Sequence, residues 1–265
     1  TQTGGSVLRP ASFCGTVGYK PTYNLINRSG LMFAAENLDT IGLLTRTVDD
    51  ADLLMSVLLN RPRSKVIPND ANPKIGLCRT HHWNSALPET IAAMDDSVVR
   101  LTAAGAEIVD ITLPNSFADL SPARNVLNDF ERSRVMADLW QNERDQLSDN
   151  IAKQLGNGTP MDFATYRDAV VLANDSRTQL DDVFGDVDFI LAPSATGEAP
   201  IGLDYTGNPQ FQGCWTILHV PTISLPTHTG PTGLPVGIQL VGRRWQDETM
   251  LSWSRWVMDK LGTAR

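Results

Sequence analysis

The sequence predicts a mixed α/β fold, and three observations carry that prediction. Residues 74–113 read as a strand–helix–strand unit. Three later apolar runs, bracketed by prolines and glycines, read as further strands. Long stretches between them repeat apolar residues every three or four positions, as helices do. With 265 residues, 42% of them hydrophobic, and a mean hydropathy of −0.17, the chain can fill a sizeable core. Length alone permits one large domain or two small ones.

Residues 1–30 are dense in glycine and proline, which suggests a tightly packed loop system. Thr45 to Leu59 then reads as a helix. Thr47 is its N-cap, Asp49 and Asp50 suit the helix dipole, and Ala51, Leu54, Met55 and Leu58 form an apolar face. Residues 60–73, with three prolines, form a linker. Lys74 to Cys78 is a strand, and 88–103 a helix with Ile91, Met94, Val98 and Leu101 on one stripe. Gly105 ends that helix, and Ala106 to Leu113 alternates as a strand. The two strands are expected to lie side by side and parallel. Ala123 to Phe184 is mostly helical, with a break near Gly156 to Pro160. Val187 to Ala192, Val220 to Leu225 and Val236 to Val241 are strands, and Gln246 to Leu261 a final helix.

Composition excludes several functional classes. The net charge is −8, and the 22 basic residues form no stripe, so a nucleic-acid surface is not expected. No apolar run reaches the roughly 18 residues of a membrane helix, and no signal peptide opens the chain. Three scattered cysteines, Cys14, Cys78 and Cys214, argue for a reducing compartment, so a cytoplasmic protein is expected. The four histidines and these cysteines show no metal-ligand spacing.

The densest chemistry lies at Thr3-Gly4-Gly5-Ser6. A serine on a glycine turn projects its hydroxyl while neighbouring N–H groups converge, the geometry acyl transfer needs. A bare GGS is more often a flexible turn. Its context is more specific. Thr3-Gly4-Gly5-Ser6, with Arg9 and Pro10 after it and then Gly15-Thr16-Val17-Gly18-Tyr19-Lys20-Pro21-Thr22, resembles the core of the amidase-signature family. So do Leu38-Asp39-Thr40-Ile41-Gly42, Arg46-Thr47-Val48-Asp49-Asp50-Ala51, the Asp188–Pro193 segment with Ala199-Pro200, Pro221–Pro226 and Gly233–Gly242. These blocks keep the family's order and span almost the whole chain.

The resemblance implies a large twisted mixed β-sheet flanked by helices, with residues 1–265 as the C-terminal portion of one amidase-signature domain. It implies hydrolysis of a small carboxylic amide through an acyl-Ser6 intermediate, with N–H groups of Thr3, Gly4, Gly5 and Ser6 forming the oxyanion hole. No cofactor and no metal are implied. The family's catalytic lysine and second serine precede this turn, so both are expected upstream of Thr1. Lys20 matches the family's KPT element and is read as structural. Two departures stand out. Gln2 replaces a common Asp and is expected to support the turn. Arg9 lies three residues after Ser6 where many members have it two after; it is either a clamp for a substrate carboxylate or a structural anchor. Trp215 and His219, one turn apart, are candidates for lining the substrate pocket, against the plainer reading of core residues. His81-His82 is assigned no role, and no GxSxG elbow supports a Ser/His/Asp hydrolase. Two rival readings are a glutaminase subunit of a tRNA-dependent amidotransferase and a catalytically silent interaction module. Truncated sheet and helix faces would be left bare, so a second chain carrying the N-terminal part, or a second copy, is expected where upstream residues are lacking.

Overall fold

The computed structural model describes residues 1–263, and its centre is a seven-stranded mixed sheet with helices on both faces. In chain order the elements are α1 (Leu8–Cys14), β1 (Val17–Lys20), β2 (Leu43–Thr45), α2 (Val48–Leu58), β3 (Lys74–Leu77), α3 (Pro88–Ala103), β4 (Glu107–Asp110), α4 (Leu120–Val135), α5 (Ala137–Asn142), α6 (Asp149–Gly158), α7 (Phe163–Thr178), α8 (Leu180–Phe184), β5 (Phe189–Pro193), α9 (Gln210–Ile217), β6 (Thr222–Thr229), β7 (Pro235–Val241) and α10 (Asp247–Leu261). The strand order is β2-β1-β6-β7-β5-β3-β4. β3 pairs in parallel with β4 and β5, as the crossover predicts, and the remaining pairs are antiparallel.

Strand periodicity divides the core. On β5, Phe189 and Leu191 join the cluster under α2, α3 and α10, whereas Ile190 and Ala192 face the cluster formed with α4, α7 and α9. Successive side chains of a strand point to opposite faces, so this one segment feeds both cores. Both clusters are closed by large aromatics, Trp253 and Trp256 on the first side and Trp215 and Phe184 on the second.

Several expectations are refined. The N-terminal loop system contains a short helix, α1, and the strand β1, and β2 follows at Leu43–Thr45; sequence periodicity discloses none of the three. α2 starts after Thr47, whose side chain accepts from the Asp50 N–H in a reciprocal capping box. Its buried face is Val48, Ala51, Asp52 and Met55; Leu54 and Leu58 stay 43% and 50% exposed. The helix has rolled toward Asp52, because that carboxylate gathers Arg61, Arg63 and Arg255. The strand expected over 106–113 is regular only at Glu107–Asp110. The helical stretch over 123–184 is broken at Met136, around 143–148, at 159–162 and at Gln179. Among the described residues no helix is long and apolar enough to cross a membrane, and no cluster of metal-ligating side chains occurs.

Candidate active site

Ser6 stands on the turn that leads into α1, and α1 lies across the middle of the sheet. The close approach is set by Gly18 of β1, where an added Cβ would fall 2.4 Å from that of Ala11. Ser12 of α1 accepts the Gly237 N–H of β7 at 2.9 Å, fixing the helix to a second strand.

The turn itself is held by Gln2, which is fully buried. Its side-chain oxygen accepts the N–H groups of Val7 (2.9 Å) and Leu8 (3.1 Å), two donors that the start of α1 leaves without helical partners. Its amide nitrogen donates to Thr216 Oγ1 on α9 (2.9 Å), and Thr216 donates in turn to the Gly4 carbonyl (2.7 Å). Backbone bonds in both directions between Gln2 and Thr40 complete the anchorage. An Asp in place of Gln2 would offer the acceptors but not the donor to Thr216. Thr3 donates through its hydroxyl to Asp39, whose other oxygen accepts the N–H groups of Ala34 and Ala35.

With the carbonyls and side chains of the turn so engaged, the N–H groups of Thr3, Gly4, Gly5 and Ser6 have no acceptor among the described residues. Unpaired donors on a glycine turn can take up negative charge on a bound group. Space is tight at both glycines, and most so at Gly5. A Cβ on Gly5 would lie 2.8 Å from Pro209 Cβ and 2.7 Å from Gln212 Oε1, and one on Gly4 would lie 2.9 Å from Arg124 Nη1. Ser6 is exposed, and its hydroxyl makes no hydrogen bond among the described residues.

Thr3, Gly4, Gly5, Ser6 and Arg9 line one cavity of about 590 Å³. Its opposite wall comes from two helices. α4 contributes Arg124, Asn128 and Arg132, spaced at i, i+4 and i+8, and α6 contributes Asn150, Lys153, Gln154 and Asn157. Arg9 donates to Thr206 Oγ1 at 3.2 Å. Burial lowers the pKa of Arg9, Arg124 and Arg132 from the usual arginine value.

Trp215 and His219 do not join this cavity. Trp215 is fully buried in the core beneath α4. His219 stacks on Tyr23 with ring centroids 3.8 Å apart, and its Nε2 lies 2.7 Å from Asn37 O and 3.0 Å from Arg177 Nη2. α9 ends at Ile217 and His219 follows it with a positive φ, so the two share no helix face; both are buried and support the scaffold. Lys20 is fully buried too; its Nζ donates to the Pro21 and Val220 carbonyls at 2.9 and 2.6 Å, and desolvation brings its pKa down to about 7. It does not line the Ser6 cavity. No sequence motif marks the α4 and α6 residues, although the polar stripe Arg124–Asn128–Arg132 on a helix with an apolar opposite face is a usable signal.

Comparison with known proteins gives the family and the fold. The family model described as Amidase matches residues 1–251. The chain belongs to the Amidase family. A glutamyl-tRNA(Gln) amidotransferase subunit from Fusobacterium nucleatum is 31% identical over an alignment covering 99% of this chain and 62% of the relative. The corresponding subunit from Koribacter versatilis is 28% identical, covering 95% of this chain and 62% of the relative. A crystal structure of an amidase superposes with a TM-score of 0.89 at 25% identity, covering 98% of this chain and 62% of that one. The chain thus spans a little under two thirds of the length of these family members.

Proposed function

We propose that this Amidase-family chain carries the nucleophile and oxyanion hole of a serine hydrolase acting on small carboxylic amides. The observation that supports this reading best is the pairing of an exposed Ser6 hydroxyl with four unpaired N–H groups on one turn. In the proposed reaction Ser6 Oγ attacks the amide carbonyl carbon, and the carbonyl oxygen takes up negative charge within reach of the turn N–H groups. The serine proton passes to a base and then to the departing nitrogen, so the C–N bond breaks and ammonia or an amine leaves. Water attacks the acyl-Ser6 ester next, releasing the acid and returning a proton to the serine oxygen. The base is assigned to a lysine, with a second serine as relay, N-terminal to this chain in the full-length protein, in line with the resemblance and the length of the relatives. No cofactor enters this scheme.

The test is ammonia release by the full-length protein from a panel of short amides, with Ser6→Ala as control. The variant is expected to lose at least roughly 10³-fold in kcat while keeping its fold. Retention of activity in Ser6→Ala would overturn the assignment. The names of the curated relatives favour one second reading, the glutaminase subunit of a tRNA-dependent amidotransferase. That reading requires glutamine as the substrate and partner subunits that copurify.

A further inference from the structure

Little holds the segment 199–209, which joins β5 to α9. Its ends are fixed. Glu198 donates its N–H to Glu89 Oε1 (3.1 Å), and its own carboxylate accepts the N–H groups of Thr232 (3.0 Å) and Leu234 (3.1 Å). At the other end Asn208 Oδ1 accepts the Gln210 N–H at 3.1 Å as α9 begins. Between these anchors, residues 199–205 make no hydrogen bond among the described residues. The one polar tether is Thr206, whose hydroxyl accepts from Arg9 Nη2 on α1 at 3.2 Å. Segments so sparsely bonded open and move most readily. Three large apolar side chains nevertheless stand on this one: Ile201 and Leu203 are essentially fully exposed, and Tyr205 is 59% exposed.

The segment also rims the Ser6 cavity. Thr206 and Pro209 are part of the cavity wall, and a Cβ on Gly5 would lie 2.8 Å from Pro209 Cβ. Apart from Pro209, every residue lining the cavity is polar, charged or glycine. An acyl group on Ser6 therefore meets almost no apolar surface there, while three apolar side chains wait a few residues along the chain. Gly202 and Gly207 bend the segment in left-handed backbone, at φ +90° and +87°, which glycine adopts without steric cost. Nothing lies within 4 Å of where a Cβ would stand on Gly202, so the bend near the tip is unobstructed. Gly207 is packed on Phe13 and Arg9 of α1, which makes it the fixed pivot. A few such positions are enough to swing a lid.

We propose that residues 199–206 form a strap that closes over the Ser6 cavity when an amide is bound, laying Ile201, Leu203 and Tyr205 against the apolar portion of the substrate. The proposal rests on the hydrolase reading and narrows its substrates to amides that carry an alkyl or aryl group of several carbons. Burial of the three side chains favours the closed form only when the substrate supplies apolar surface to meet them. Closure also removes water from the turn N–H groups, and a drier site holds a developing charge more strongly.

Thermolysin, which cuts before large apolar residues, tests the strap in the full-length protein carrying Ser6→Ala, where turnover does not consume the probe. Cleavage before Ile201 or Leu203 is expected in the free protein. Saturating hexanamide is expected to slow it at least about tenfold, and acetamide by less than about twofold. A strap as resistant as the helices in the free protein would overturn the proposal, since something other than substrate then covers it. Cleavage that hexanamide leaves unchanged would overturn it too. Turnover supplies a second measurement. Wild type is expected to prefer hexanamide to acetamide in kcat/KM, and the double variant Ile201→Ser/Leu203→Ser to shrink that preference at least about tenfold. Its thermal unfolding should match the wild type, because both side chains are exposed. An unchanged ratio sinks the strap. Protection by hexanamide with neither amide hydrolysed by the wild type supports the strap and leaves the hydrolase reading alone to fail. Hydrolysis without protection does the reverse.

Discussion

Gln2 ties the turn that carries Ser6 to α9 with both ends of one amide, accepting from Val7 and Leu8 and donating to Thr216. A substitution that removes a common carboxylate is thereby matched by a hydroxyl on another element. His219 shows the same dependence on surroundings. Its position after α9 suggests a pocket residue, yet burial and the Arg177 charge press its pKa down to about 2. The sign follows from proton counting. The folded protein keeps this imidazole neutral, whereas the unfolded chain binds a proton below pH 6.5, so stability falls as pH drops from 6.5 toward 2. Each pH unit in that window costs about 1.4 kcal/mol. Urea denaturation at pH 7 and pH 4.5 is expected to show wild type losing about 2–3 kcal/mol more than His219→Asn, a residue that tolerates the positive φ found there. Equal losses would show that His219 is protonated in the fold. At this scale Ser6, Gly4 and Gly5 are legible because a short contiguous motif carries them. The places of Trp215 and His219 are not, because a four-residue spacing reveals neither that α9 stops at Ile217 nor that both side chains are buried.

Among the elements, α2 is secured by apolar contact through Val48, Ala51 and Met55 and by charge through Asp52. Asp52 projects from it into a fully buried position and is bound by Arg61 and Arg63 from the following linker, by Arg255 from α10 and by Ser64. Burial alone would raise this carboxyl, but the hydrogen bonds from Ser64, Arg255 and Arg61 outweigh it and hold the pKa at about 2. Its contribution is therefore present above the ordinary carboxylate value of 3.8 and is lost as pH falls toward 2. Asp52→Ala leaves three guanidinium groups facing one another, and is expected to lower the unfolding free energy by about 3 kcal/mol at pH 7. Chemical denaturation checks this, and a loss below about 1 kcal/mol would mean the cluster is held by solvent instead. The helix bounds are readable, since Thr47 and Asp50 announce the start. The rotation of α2 about its axis is not, because Asp52 counts as polar in any periodicity although its partners bury it. β1 and β2 escape notice for a related reason: segments of four and three residues are too short to display an alternation.

For the molecule as a whole, the sheet serves to bring together segments far apart in sequence. The glycine turn at residues 3–6 meets α4 and α6, more than a hundred positions later, across one cavity. Family motifs make the fold and the glycine turn visible in advance, but the opposing wall of arginines and asparagines lies outside those motifs and becomes apparent only once the helices are placed. The central claim is that the free N–H groups and the Ser6 hydroxyl act as one acyl-transfer device. Intact-mass spectrometry of the full-length protein before and after treatment with a fluorophosphonate probe tests it most directly. One adduct per chain, mapped to the Ser6 peptide and absent in Ser6→Ala, is the predicted result; an unmodified chain, or an adduct on any other residue, would contradict it.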